Sequence, residues 1–134
     1  MSQDESMEAN DAIASLAIFS IGSNCGNRHA NVSEGLKWLS MHLMDFRSSS
    51  IYATPDCHGG VKEYFNAVAI GTTNESPENL EQLCKQYELS CGRNDEMRKS
   101  GNVPIDIDLV VYGDKVIRPN DFKREFFRIG YEMI

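Results

Sequence analysis

Two aspartates stand two residues apart inside an otherwise apolar run, Val103-Pro104-Ile105-Asp106-Ile107-Asp108-Leu109-Val110-Val111-Tyr112. In a β-strand successive side chains alternate between faces, so Asp106 and Asp108 share one face with Cα atoms about 6.6 Å apart. Ile105, Ile107 and Leu109 fill the other face, giving a strand packed on a core on one side and open to a charged ligand on the other. Carboxylates held that close repel each other, and a divalent cation between them relieves the repulsion. The spacing predicts a metal-holding pair.

The elements that must position this pair are legible from periodicity and turn residues. Residues 16–21 read as a short apolar strand running into the turn Gly22-Ser23-Asn24-Cys25-Gly26-Asn27. Val32, Leu36, Leu39 and Leu43 follow at helical spacing and predict a core-facing helix. Residues 46–53 predict one strand that ends at Thr54-Pro55-Asp56, and residues 64–72 predict the next. Between them, Cys57-His58-Gly59-Gly60 reads as a mobile loop. Ser76-Pro77-Glu78 starts a second helix, with Ser at the N-cap, Pro at the first helical position and an acid in the first turn. Leu80, Leu83, Cys84, Tyr87 and Cys91 carry its apolar face to a stop at Gly92, and residues 93–102 read as a polar loop. The order strand, helix, strand, strand, helix, strand predicts an α+β, ferredoxin-like βαββαβ sandwich. Its antiparallel sheet carries both helices on one face and leaves the other free for a site.

Composition bounds the function classes. The 134 residues suffice for one domain, expected over residues 15–134 behind an acidic flexible tail, residues 1–14, that holds Asp4, Glu5, Glu8 and Asp11 and no basic residue. Apolar content of 41% and charged content of 25% are those of a globular protein, and no run approaches the ~20 apolar residues that span a bilayer. A membrane protein is excluded on that ground. The net charge of −7 argues against nucleic-acid binding, which needs Lys and Arg against phosphates, but leaves room for a nucleotide where a few cations and a metal converge. Four cysteines without a C-x-x-C pair, and no secretory apolar region, point to free thiols in a reducing, cytoplasmic setting. Nothing in the sequence reports the oligomeric state.

Five separated motifs then occur in order: residues 19–28 with Ala30-Asn31, Tyr52-Ala53-Thr54-Pro55, Tyr64-Phe65-Asn66-Ala67-Val68, Glu88 with Gly92-Arg93, and Ile105-Asp106-Ile107-Asp108-Leu109 with Tyr112-Gly113-Asp114. Together, over about residues 17–117, they resemble the 6-hydroxymethyl-7,8-dihydropterin pyrophosphokinase family. The resemblance implies transfer of pyrophosphate from ATP to the hydroxymethyl group of a reduced pterin, with release of AMP. It implies that Asp106 and Asp108 hold two Mg2+ ions bridging the ATP phosphates, a task suited to hard oxygen ligands. Tyr64 matches the family's stacking tyrosine, Asn66 the amide that pairs with the heterocycle, and Thr54 and Pro55 the segment lining the same pocket. Glu88 and Arg93 match positions near the nucleotide, with Arg93 a phosphate contact among the catalytic residues. Since Tyr64 and Phe65 alternate along a strand, one of the two rings belongs to the core.

The chain departs from the family pattern in two places. Ser100-Gly101-Asn102-Val103 stands where the family carries Trp-Gly-Pro-Arg, and Glu125-Phe126-Phe127 where it has Pro-His followed by an aromatic. Arg98 and Lys99 are the nearest cations for the nucleotide, with Lys123, Arg124 and Arg128 further along, and Phe126, Phe127 and Tyr131 are the available second aromatics. Losing one charge-stabilising donor from such a transition state costs ~2.7–4 kcal/mol. The alternative reading is therefore a catalytically weak or silent homologue acting as a pterin-binding or interaction module.

Overall fold

A computed structural model of the chain describes residues 14–57, 59–60 and 62–134. The expected acidic tail lies outside the described residues apart from Ala14, as do His58 of the expected loop and Val61 just after it. The elements are β1 (Ser15–Ser23), α1 (Arg28–Ser40), β2 (Met44–Ser48), β3 (Tyr52–Thr54), β4 (Tyr64–Thr73), α2 (Pro77–Ser90), α3 (Asp95–Ser100), β5 (Asp106–Tyr112), β6 (Lys115–Val116), α4 (Pro119–Lys123) and α5 (Glu125–Tyr131). The six strands form one antiparallel sheet in the order β2-β4-β1-β5-β6, with β3 also paired to β4. The class is α+β, and the central position of β1 between β4 and β5 is compatible with the ferredoxin-like pattern.

Local chemistry explains the helices that build the core. The Asn27 side chain accepts the Ala30 N–H at 3.1 Å and starts α1, while the Ser76 hydroxyl accepts the Asn79 N–H at 3.1 Å and starts α2. Val32 and Leu39 of α1 and Leu80 and Cys84 of α2 then pack on Phe19, Ile21, Ala67, Ala69, Ile107 and Leu109 of the sheet. Burying each large side chain contributes about 1.5–3 kcal/mol, which sets the hand and register of the sheet. Both helices lie on this one face, as the sequence order predicts.

Three differences from the sequence reading have physical reasons. The single strand expected over residues 46–53 is two, because Ser49 interrupts it. Its N–H donates to the Val68 carbonyl at 2.8 Å while its hydroxyl, in place of a backbone carbonyl, accepts the Val68 N–H at 2.9 Å. The polar loop expected over residues 93–102 contains α3, capped by the Asn94 side chain on the Met97 N–H at 2.9 Å and closed by Gly101 in the left-handed region. Finally, the face expected to be free is half covered. Phe127 of α5 is fully buried on Ile18, Val68, Val110 and Val111, backed by Phe122 and Tyr131. The remaining half of that face carries the cavity described next.

Candidate active site

The strand register assembles the site as a row. Gly22 of β1 stands opposite Asn66 of β4 on one side and opposite Asp106 of β5 on the other, and Ser20 stands opposite Asp108. With strands about 4.8 Å apart, Asn66 and Asp106 are brought within about 10 Å of each other across the glycine. A cavity of about 260 Å³ opens over this row, lined by Thr54, Tyr64, Asn66, Phe126, Asp106 and Asp108 among others. A second cavity, of about 240 Å³, lies at the outer edge of β5 and is lined by Lys85, Arg93, Arg98, Arg118 and Glu88 together with the same Asp106 and Asp108. The aspartates form the wall that the two cavities share.

The first cavity presents flat rings and in-plane hydrogen-bonding groups. Asn66 and Thr54 are both buried, and the Asn66 Nδ2 donates to Thr54 Oγ1 at 2.5 Å, so the amide is held in one orientation. Gly22 makes room for it: a Cβ there would stand 2.7 Å from Asn66 Oδ1. Tyr64 lines the cavity, and burial followed by the charges of Asp56 and Asp106 holds its hydroxyl above the ordinary tyrosine range. Phe65 points the other way, with the Arg28 guanidinium 4.2 Å from its ring centroid. Pro55 lines the cavity beside Thr54. Of the three candidate second aromatics, Phe126 alone lines this cavity, while Phe127 belongs to the core and Tyr131 stacks on Phe127 at 5.4 Å. The Tyr52 hydroxyl holds the Phe126 segment by donating to the Phe126 carbonyl and accepting the Gly130 N–H at 3.1 Å.

The second cavity is charged. Arg93 Nη1 lies 2.9 Å from Asp106 Oδ1 and 2.9 Å from Glu88 Oε1, and donates also to the Ile105 carbonyl at 3.3 Å. Glu88, 8% exposed, accepts the Ile107 N–H on Oε2 at 2.8 Å. Burial holds the Glu88 carboxyl above its usual range, opposed by the Ile107 N–H. Burial alone would lower the Arg93 guanidinium, but the hydrogen bond and charge of Asp106, with Glu88 behind, carry it above its ordinary value. Burial first, then the neighbouring Asp106, pushes Asp108 up to about 8, against the pull of Arg118, whose Nη2 lies 3.5 Å from Asp108 Oδ1. Two carboxylates held this close repel each other, and a cation between them would relieve that repulsion.

The donor set discriminates between metals. Among the described residues no three His, Cys, Asp or Glu side chains converge on one point. Zn2+ and Ca2+ sites need fuller protein cages, whereas Mg2+ is characteristically held by one or two carboxylates plus substrate phosphates and water. Two aspartates on a strand edge fit Mg2+.

The structure brings the sequence-derived residues together with one exception. Asp106, Asp108, Arg93, Glu88 and Arg98 surround the second cavity, and Thr54, Pro55, Tyr64 and Asn66 the first. Lys99 is exposed in the last turn of α3 and lines neither. Among the more distant cations, Arg128 sits 5.0 Å from the Phe122 ring, on the far side of α5 from the site. Sequence reasoning missed Arg118, Lys85 and the structural part of Asn24. Asn24, 6% exposed, accepts the Val103 N–H on Oδ1 at 2.6 Å and donates from Nδ2 to the Gly101 carbonyl at 2.8 Å. It thereby ties the β1–α1 turn to the chain entering β5. Its signal was the turn Gly22-Ser23-Asn24 itself, whereas Arg118 had none beyond its place before Pro119.

An antiparallel α+β sheet whose paired aspartates divide a ring-and-amide cavity from an arginine-lined one defines a site of two compartments. The chain belongs to the 7,8-dihydro-6-hydroxymethylpterin-pyrophosphokinase family, whose model matches residues 18–133. It is 39% identical over 103 residues to the folate synthesis bifunctional protein of Chlamydia trachomatis, covering 72% of this chain and 23% of that protein. A folate synthesis bifunctional protein of Arabidopsis thaliana is 30% identical over 112 residues, covering 78% and 23%. The 2-amino-4-hydroxy-6-hydroxymethyldihydropteridine pyrophosphokinase of Aquifex aeolicus is 30% identical over 116 residues, covering 80% and 72%. The chain thus spans 23% of the length of each of the two bifunctional relatives. Among the described residues no helix is long and apolar enough to cross a membrane.

Proposed function

We propose that this chain transfers pyrophosphate from ATP to the hydroxymethyl group of 6-hydroxymethyl-7,8-dihydropterin and releases AMP. The observation that carries the reading is the shared wall: Asp106 and Asp108 line both cavities, so two ligands held in them meet at the carboxylates. Family membership supports the same reading.

The residues divide the work by chemistry. Tyr64 and Phe126 offer ring faces to a flat heterocycle, while Asn66, with its amide held by Thr54, offers in-plane donor and acceptor groups beside Pro55. Asp106 and Asp108 line the same cavity, so a ring held there has its hydroxymethyl group within the compartment that the aspartates bound. On the other side Arg93, anchored by Glu88, and Arg98 face the polyphosphate, where guanidinium groups bind phosphate oxygens in forked geometry. Asp106 and Asp108 would hold Mg2+, which supplies neutralisation of the phosphate charge when bound. The new bond joins the hydroxymethyl oxygen to the β-phosphorus as the bond from the β-phosphorus to the α–β bridging oxygen breaks. AMP keeps that oxygen, and the hydroxyl proton is lost to solvent.

The test is AMP release on incubation with ATP, Mg2+ and the dihydropterin, matched mole for mole by pterin diphosphate and lost in Asp106→Ala. No AMP at high protein concentration overturns the reading.

A further inference from the structure

We propose that Arg118 is a phosphate-binding residue of the second cavity, poised on Asp108 and released to the β- and γ-phosphates of the nucleotide when the aspartate pair is spent on a cation. The inference rests on the nucleotide reading of that cavity and adds a residue to it that the sequence pattern did not mark.

Two arginines flank the two aspartates, and their settings differ. Arg93 pairs with Asp106 and is held at one nitrogen by Glu88, Asp106 and the Ile105 carbonyl, with its side chain 21% exposed. Arg118 pairs with Asp108 at 3.5 Å, with a side chain 42% exposed, and that is its one ion pair among the described residues. A single, longer, half-solvated pair of this kind is worth only about 0–1 kcal/mol, so it yields readily to a better acceptor. The backbone beneath it does not move as easily. The N–H groups of Ile117 and Arg118 both donate to the Val110 carbonyl, at 2.7 and 3.2 Å, and pin the start of α4 to β5 just past Asp108. A loosely held guanidinium therefore stands on a fixed root at the mouth of the cavity.

Charge gives the direction of the exchange. The second cavity is lined by four acidic and four basic side chains, two of the acids being Asp106 and Asp108. Once the two aspartates share their charge with a cation, four bases face two acids and the lining becomes attractive to a polyphosphate. Arg118, whose partner has then been engaged elsewhere, is the base freed by that change.

The test compares binding of Mg2+ with α,β-methylene-ATP and of AMP, by calorimetry, in the wild type, Arg118→Ala and Arg118→Lys. Arg118→Ala should weaken the ATP analogue about 10- to 100-fold, the equivalent of the ~1.5–3 kcal/mol of a hydrogen bond to a charged group, and leave AMP unchanged. Arg118→Lys should fall between, keeping the charge without the fork. Equal analogue binding by wild type and Arg118→Ala, or parallel weakening of the analogue and AMP, overturns the assignment of Arg118 alone. Failure of the wild type to bind the analogue overturns the nucleotide reading and the assignment with it.

Discussion

Glu88 Oε2 accepts the Ile107 N–H at 2.8 Å, so a carboxylate from α2 occupies the edge of β5 between the two aspartates. At Val111 and Tyr112 β5 pairs with β6, but among the described residues no strand pairs with Ile107 on that side, and Glu88 supplies the acceptor a neighbouring strand would have given. Its other oxygen holds Arg93, so one buried side chain sets both the strand that carries the aspartate pair and the guanidinium beside it. Glu88→Ala should cost about 1–3 kcal/mol through the orphaned Ile107 N–H, read by urea unfolding, and should speed hydrogen exchange at Ile107. Glu88→Gln should keep most of that stability while loosening Arg93, so its loss should appear in activity. Equal stability loss in both variants would contradict this division.

Phe126 and Phe127 are neighbours with opposite duties. Phe127 is 0% exposed in the core, and Phe127→Ala should destabilise by about 3–5 kcal/mol. Phe126 lines the first cavity, and Phe126→Ala should leave the unfolding midpoint close to wild type while raising the KM for the pterin about tenfold. The pair is decided by measuring thermal unfolding and pterin KM on both variants. A pterin KM unchanged in Phe126→Ala removes that ring from the site.

What the sequence made legible and what it concealed follow from the range of the interactions. The aspartate pair and the start of α2 are written in period-two alternation or in caps, signals confined to a few adjacent residues, whereas Tyr64 and Asn66 were marked by the family resemblance and alternation alone left Tyr64 and Phe65 undecided. The split between β2 and β3 depends on the Ser49 hydroxyl meeting Val68, a partner on another strand, and so left no local trace. Helix α3 spans six residues, too short for a periodic face, although Asn94 and Gly101 mark both its ends. Arg118 reaches Asp108 only because the turn through β6 folds the chain back along β5. The choice of Phe126 over Phe127 depends on how α5 lands on Val68 and Val110, a matter of packing.

Gly22 separates Asn66 from Asp106 in the row of three strands, and its missing side chain is what lets Asn66 Oδ1 lie against β1. In Gly22→Ala the new Cβ would meet Oδ1 at 2.7 Å and Tyr64 Cδ2 at 3.4 Å, so the amide and the ring must shift. Such overpacking costs about 1–3 kcal/mol, partly offset because alanine restricts the unfolded chain more than glycine does. Pterin binding, followed by titration with 6-hydroxymethylpterin, should weaken about tenfold, with binding of the ATP analogue preserved. Equal weakening of both ligands would mean that the strand, and not the Asn66 amide, had moved.

Tyr52 closes the site from behind, and its behaviour with pH gives a separate check. Burial pushes its hydroxyl up to about 12, against the pull of the Gly130 N–H, since the phenolate would lose water and could no longer donate to the Phe126 carbonyl. The folded value lies above the ordinary value of 10 for an unfolded chain. The hydroxyl's contribution is therefore complete below pH 10 and is lost as the pH rises through 12. Tyr52→Phe should cost about 1–3 kcal/mol at pH 8 by leaving the Phe126 carbonyl and Gly130 N–H unpaired. The gap between wild type and variant should shrink in urea titrations as the pH rises from 8 toward 11. A gap constant across that range would place the stabilisation in the ring's packing, whereas a closing gap places it in the hydroxyl that ties α5, and with it Phe126, to the sheet.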